Sequence, residues 1–495
     1  MSITGVGSKS SLVVQSLVDM RRQLDDLQRQ LGTGKVSDNY AGLGLNRGLA
    51  VGLRGHLASL DGFGDAITNV GVRLDLAQST LGRLGAIAHS VKSSALQSVV
   101  AVDSGGQTVA QLTAYSELGE ILGLLNTQAG DRHLFSGRAT DQPAVESIER
   151  IMNGDGARAG LKQVIAERNQ ADLGTGGLGR LVISAPTATS VRLAEDAVSP
   201  FGLKLAGVTS SLSGATVTPS GPPTTSTVDL GAVNPSDGDT IQYRFTLPDG
   251  STESITLTAT TSANPGPNRF AIGATSDVTA ANLQSALTAA VGKLAGTALS
   301  AASAVTAAGN FFADPPQRVA GPPFDTATAL VAGTPADTLA WYTGETGTDP
   351  ARTTATARID SSITVSYGMR ANEEGIRYLV QNVAALAAMT FSPNDPNATA
   401  RSAALNQRVS AALDVPPGTQ KIEDIEAELA GAQTSLAAAK DRHQQTKSTL
   451  ADMLEQIEGV PTEEVGARIL ALQTRLQASL QTTSLLYKTS LVNYI

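Results

Sequence analysis

Residues 421–458 read KIEDIEAELAGAQTSLAAAKDRHQQTKSTLADMLEQIE. The apolar and small positions Ile422, Ile425, Leu429, Ala432, Leu436, Ala439, His443, Thr446, Leu450, Met453 and Ile457 are spaced by three and four in strict alternation. This is a heptad seam on one long helix. At 1.5 Å of rise per residue the rod is roughly 55 Å long. Such a rod cannot bury its stripe against itself and needs partner helices.

Beyond the rod, Gly459-Val460-Pro461 breaks the pattern and Thr462-Glu463-Glu464 opens another helix with acids where the backbone dipole favours them. Val465, Ile469, Leu472, Leu476, Leu480, Thr483, Tyr487, Leu491 and Tyr494 are expected to line it. Before the rod, Leu405, Val409 and Leu413 mark a short helix closed by Pro416-Pro417-Gly418. Ile376, Leu379, Val383 and Leu386 mark another, which Ser392-Pro393-Asn394-Asp395-Pro396 breaks.

The opposite chain end mirrors this. Val13, Leu17, Met20, Leu24, Leu27 and Leu31 carry a seam with an outer face of Arg, Asp and Gln, and Gly32-Thr33-Gly34 stops it. A long second helix is predicted from about Asn46 to Ser98, with Leu60, Phe63, Ile67, Val70, Leu74, Ala77, Leu81, Leu84, Ala88 and Val91 in register. Its many glycines, Gly48 to Gly85, each cost about 1 kcal/mol in an isolated helix, so neighbouring backbones are expected to pack closely on them. A third helix, about Gln107 to Thr127, is expected to bury Leu112, Tyr115, Leu118, Leu122 and Leu125, with Ala129-Gly130-Asp131 ending it.

From about 138 to 365 the chain turns to Thr, Ser, Ala, Gly and Pro. Ile241, Tyr243, Phe245 and Leu247 alternate with polar residues, Pro248-Asp249-Gly250 makes a turn, and Ile255 and Leu257 resume the alternation, which predicts a β-hairpin. Thr279 to Leu294 reads as a helix, and Pro222-Pro223, Pro315-Pro316 and Pro322-Pro323 read as linkers. The expected fold class is mainly α with a β-rich insert: a nested coiled-coil bundle of long helices from both chain ends around a central β region. The expected segments are an N-terminal assembly helix (1–45), the two halves of a helical bundle (46–137 and 366–458), a β-rich inserted region (138–365) and a C-terminal assembly helix (459–495).

Composition narrows the function. Only 16% of the 495 residues are charged and the net charge of −9 is not gathered into a tail, which argues against nucleic acid as a partner. There is no cysteine, so disulfides, thiolate metal sites and cysteine nucleophiles are excluded. No Sec-type leader opens the chain, and no apolar run is long enough for a membrane span.

Candidate chemical sites are weak. His56, His89, His133 and His443 lack metal-ligand spacing, and His443 falls on the rod's seam. The acid pairs Glu373-Glu374 and Glu463-Glu464 sit at predicted helix starts. Gly174-Thr175-Gly176-Gly177-Leu178-Gly179 lacks the Lys-Ser/Thr pair of a phosphate loop and reads as a turn. No catalytic residue, metal or cofactor is expected. The seams stand out instead, and the assembly residues are expected to be Val13, Leu17, Met20, Leu24, Leu27, Leu31, Leu472, Leu476, Leu480, Tyr487 and Leu491.

The chain ends resemble a known family. Gln30-Leu31-Gly32-Thr33-Gly34-Lys35, followed by Ser37-Asp38-Asn39, resembles the turn that ends the first helix of flagellins and of the hook–filament junction branch of that family (hook-associated protein 3 type). Ala41-Gly42-Leu43-Gly44 departs from the family's usual ending. Arg132-His133-Leu134-Phe135-Ser136-Gly137, with Thr140-Asp141 and Pro143, resembles the junction branch's segment leaving the bundle. Ile363 to Glu373 resembles its returning strand, and Leu476-Gln477-Ala478-Ser479 its last helix. The resemblance covers roughly 10–140 and 360–495.

It implies a structural subunit of the bacterial flagellum at the hook–filament junction, or alternatively flagellin, the bulk subunit of the swimming filament. It also implies extracellular location, export through the flagellar type III route, and polymerisation through terminal helices. The implied partners are copies of itself, other hook-associated proteins, flagellin and an export chaperone. From a different class, a secreted coiled-coil adhesin with a β-rich binding domain also fits the pattern.

Overall fold

The computed structural model describes residues 5–97, 102–103, 105–392 and 394–492. Among them the helices are α1 (Gly5–Thr33), α2 (Arg47–Gln97), α3 (Val109–Leu125), α4 (Ile148–Asn153), α5 (Leu161–Leu173), α6 (Ser276–Leu294), α7 (Ser300–Phe311), α8 (Glu374–Ala388), α9 (Ala398–Ala412), α10 (Ile422–Glu458) and α11 (Thr462–Val492). The strands are β1 (Gln128–Ala129), β2 (Arg132–His133), β3 (Leu181–Ser184), β4 (Ser190–Glu195), β5 (Lys204–Ser210), β6 (Thr216–Ser220), β7 (Thr225–Asp229), β8 (Thr240–Thr246), β9 (Thr252–Thr260), β10 (Arg269–Ala271), β11 (Gln317–Val319), β12 (Leu330–Ala332), β13 (Thr356–Arg358) and β14 (Thr364–Ser366). The chain is mainly α-helical, with several small sheets between its long helices.

Two compact units divide the chain. One comprises Met1–Gly71, Ala357–Val365 and Gln433–Ile495; the other comprises Val72–Thr356 and Ser366–Ala432. The divisions fall inside α2 and inside α10.

In the first unit α1 packs on α11. Gly34, at φ 68°, ends α1 in the left-handed conformation that glycine adopts without penalty, and its N–H donates to Gln30 O at 2.8 Å. The chain then runs antiparallel to the turn between α10 and α11. Val36 N donates to Glu458 O at 2.7 Å, and Val460 N to Gly34 O at 2.9 Å. Arg54 clasps the buried Glu458 carboxylate through Nε (3.0 Å) and Nη2 (2.6 Å), a bidentate geometry that fixes orientation as well as charge. Phe63 and His443 pair their rings at 5.7 Å.

In the second unit α3 packs on α8, and α7 on α5, α8 and α9. Two four-stranded sheets, ordered β3-β4-β7-β6 and β10-β9-β8-β5, lie against α6. The hairpin read from residues 241–257 is β8 and β9, antiparallel, with Tyr243 opposite Ile255. Ile241, Tyr243, Phe245, Leu247, Ile255 and Leu257 are all buried. Gly250, at φ 80°, closes the turn. The stretch 138–365 holds these sheets together with α4 to α7. Pro222-Pro223 sits in the β6–β7 hairpin turn, and Pro322-Pro323 in the connection between the paired strands β11 and β12, so neither is a linker.

Several expectations shift in phase. In α10 the seam is buried from Ile422 to His443, but Thr446 and Met453 are exposed. In α2 Ile87 is buried where Ala88 was expected to be. In α3 Leu112 and Tyr115 are exposed, and the buried face runs through Ala110, Gln111, Ala114, Leu118, Ile121, Leu122 and Leu125. Steps of three alone rotate a stripe round the helix, whereas Gln111, Ala114, Leu118, Ile121 and Leu125 keep the three–four alternation. Gln111 suits this face because its polar groups are satisfied: Oε1 accepts from Thr108 N in a capping box, and Nε2 donates to Met389 O at 2.7 Å. Gly130-Asp131 turns the β1–β2 hairpin rather than ending α3.

The glycines of α2 do not receive neighbouring backbones. Among the described residues, no atom of another element lies within 4 Å of where a Cβ would stand on Gly48, Gly52, Gly55, Gly62, Gly64, Gly71 or Gly85, and Gly82 meets Glu426 Oε1 at 3.7 Å.

Candidate assembly surface

Among the described residues no group of His, Asp and Glu could hold a metal ion, and no helix is long and apolar enough to cross a membrane. Each weak chemical candidate has a structural place. Glu463 and Glu464 lie in the first turn of α11. Gly174 to Gly179 form the turn after α5, where Gly174 N donates to Gln170 O and Gly179 N to Leu173 O. His56 and His89 are exposed.

His443 is buried on the α10 seam, and among the described residues neither ring nitrogen makes a well-formed hydrogen bond. Its Nε2 stands 3.4 Å from Asp360 Oδ2. Asp360 is held down to about 2, first by the Arg442 guanidinium and then by the Ser361 N–H. Glu373 opens α8, where it accepts from Arg370 N at 3.0 Å and pairs with Arg352. Burial pushes its carboxyl above the usual range, against the pull of Arg352.

The terminal helices present a different picture. In α1 the expected seam residues Val13, Leu17, Met20, Leu24 and Leu27 are each only half-buried. Leu31 is 43% exposed; the partly covered position there is Gln30, whose Nε2 donates to Val36 O as the helix ends. In α11 Val465, Ile469 and Leu472 are buried and Leu476 is half-buried.

Leu480 corrects the expectation, being 50% exposed. Two consecutive steps of four carry it off the stripe, and the half-buried positions are instead Ser479 and Thr483. Tyr487 and Leu491 belong to α11, but their side chains, like all of Tyr494, lie outside the described residues. Cover on α11 therefore falls with distance from its junction with Lys35.

Other exposed apolar side chains went unread in the sequence because they lie off the heptad positions. Leu12 (68% exposed), Val14 and Val18 flank the seam of α1, Leu470 lies on α11, and Leu45, Leu49 and Val51 surround the start of α2. The signal available was density: Leu12, Val13 and Val14 are consecutive, more than one face can bury. Between residues 33–35, Leu57 and residues 451–462 lies an open groove of about 1080 Å³, with Leu57, Ala451, Leu454, Val460 and Pro461 on its walls. The charges of α1 pair along its outer face, Asp19 with Arg22 and Asp26 with Arg29, both exposed. Such pairs contribute little stability and keep the apolar stripe distinct from its polar surroundings.

No protein-family model and no curated protein matches this chain.

Proposed function

We propose that this chain is a structural subunit of the bacterial flagellum, an axial protein of the flagellin family placed at the hook–filament junction, working by polymerisation rather than catalysis. The observation that carries this reading is the incomplete cover of the terminal helices. No seam residue of α1 from Val13 to Leu27 reaches full burial, and Leu12, Val14, Val18, Leu470 and Leu480 stand exposed beside them. Apolar side chains left exposed along half-covered stripes mark a candidate interaction face.

In the proposed assembly, α1 and α11 of neighbouring copies complete one another's stripes as a coiled-coil-like inner layer. The contact is head-to-tail and does not close in the plane, so it propagates as a helical tube. Each half-covered leucine that a neighbour buries adds about 1 kcal/mol. The pairing of residues 133–137 with 367–371 also supports the family reading. Gly137 N donates to Met369 O and Ala371 N to Phe135 O, which joins the segment leaving the helices to the segment returning.

On this reading the subunit works outside the cell, reaches its place through the flagellar export route, and meets an export chaperone on the way. Deleting the gene tests it. Cells left with hooks and shedding filament monomer support a junction protein. Cells with hooks and an intact junction but no filament point to flagellin. Unchanged motility and filaments overturn the proposal.

A further inference from the structure

Outside the terminal helices, three segments of the second unit are stitched by backbone hydrogen bonds. His133 N donates to Thr140 O, Gly137 N to Met369 O, Tyr367 N to Ala355 O and Gly368 N to Arg352 O, all at 2.9–3.0 Å. Between residues 132–140, 354–356 and 367–369, with Arg73 of α2 also on the wall, is a cleft of about 330 Å³, at the small end of ligand sites.

Its lining carries three guanidiniums, Arg73, Arg132 and Arg138, and no carboxylate. That is unexpected in a chain with 45 acidic and 36 basic residues. Arg138 is occupied by Glu345 and Asp349. Arg132 is exposed and makes no ion pair among the described residues. Arg73 Nη1 donates to the Tyr367 hydroxyl at 3.0 Å, so that phenol accepts from the arginine and its own proton is left to donate into the cleft. Tyr367 is buried, which fixes the hydroxyl and through it the guanidinium. Leu134, Ala355 and Met369 supply an apolar wall, and Thr140 and Thr356 lie on the lining.

We propose that this cleft binds a small organic anion, a carboxylate or phosphate monoester on a hydroxylated body of about monosaccharide size. Arg132 and Arg73 hold the oxyanion, since the guanidinium fork matches either head group. The Tyr367 hydroxyl donates to it, and the body rests on Leu134 and Met369. The site is independent of the assembly reading and stands or falls without it.

The test is titration of the full-length chain with glucuronate, glucose 6-phosphate and neutral glucose, followed by ligand-observed NMR and calorimetry. One or both anions should bind with a dissociation constant at or below about 1 mM, and glucose at least tenfold more weakly. Which anion binds identifies the head group. Arg132→Gln should weaken anion binding about tenfold or more without moving the unfolding midpoint, because Arg132 is exposed. Arg73→Gln should weaken anion binding to a similar extent, together with some loss of stability because its bond to the buried Tyr367 hydroxyl goes, and Arg192→Gln, at an exposed position on β4, should leave binding unchanged. Equal binding of glucose, no anion binding, or affinity indifferent to both Arg132→Gln and Arg73→Gln would each overturn the proposal.

Discussion

Asp172 is completely buried, yet both its carboxylate oxygens are engaged. Oδ1 accepts from Gly202 N at 2.8 Å, and Oδ2 accepts from Arg168 Nε at 2.8 Å and Ser303 Oγ at 2.7 Å. Arg168 also donates to Pro200 O and lies 4.9 Å from the centre of the Phe201 ring. Asp172→Ala would strand the buried guanidinium, and urea unfolding should show a loss of about 3–5 kcal/mol. The sequence holds only an unremarkable Arg and Asp four apart in α5; their burial depends on what α7 and residues 200–202 bring to them. Asp360 behaves differently because it is near the surface. Its carboxyl is held down to about 2, below its unfolded value, so its bond to Arg442 stabilises fully above about pH 4 and is lost as pH falls through about 2. The Arg442 side-chain NMR signal should shift over that window, and Asp360→Asn should abolish the shift.

For whole elements, what matters is which face of a helix is already covered. The α2 glycines have open space where a Cβ would go, so Gly55→Ala and Gly62→Ala should each stabilise the protein by about 0.5–1 kcal/mol in chemical denaturation. Loss of stability in both would mean that unseen backbone contacts exist there. In α1, Leu24→Asp alters a half-buried residue. It should cost the protein only about 1 kcal/mol and, if the proposed assembly holds, suppress self-association in sedimentation velocity. Phe245, fully buried in β8, gives the contrast: Phe245→Ala should cost about 3–5 kcal/mol. The phase errors in α3 and α11 share one cause. Heptad reading favours large apolar residues, so it preferred Leu112 and Leu480 over Gln111 and Ser479, whose burial needs a partner hydrogen bond or a close neighbour.

At the scale of the molecule, the chain should not resist protease evenly. Local opening is cheapest where few apolar contacts are buried. Limited proteolysis of the purified protein should therefore trim tens of residues from both α1 and α11 before it cuts the second unit's core around Tyr243, Phe245 and Phe270. Ends as resistant as that core would argue against incomplete terminal surfaces.

The sequence by itself determined the long helices, the β8–β9 hairpin and most, though not all, positions of the apolar stripes, because these are periodicities of three and four or of two that any chain displays before it folds. It also showed that the stripes at the two ends match. Tertiary structure alone decided how much of each stripe is covered. It set Val465 under cover and left Leu480 and Leu31 in solvent, and it tied Lys35 to Gly459. It also brought Arg73, Arg132 and Tyr367 to one cleft from segments far apart in the chain. Burial and juxtaposition are properties of pairs of elements, and no period within one element encodes them.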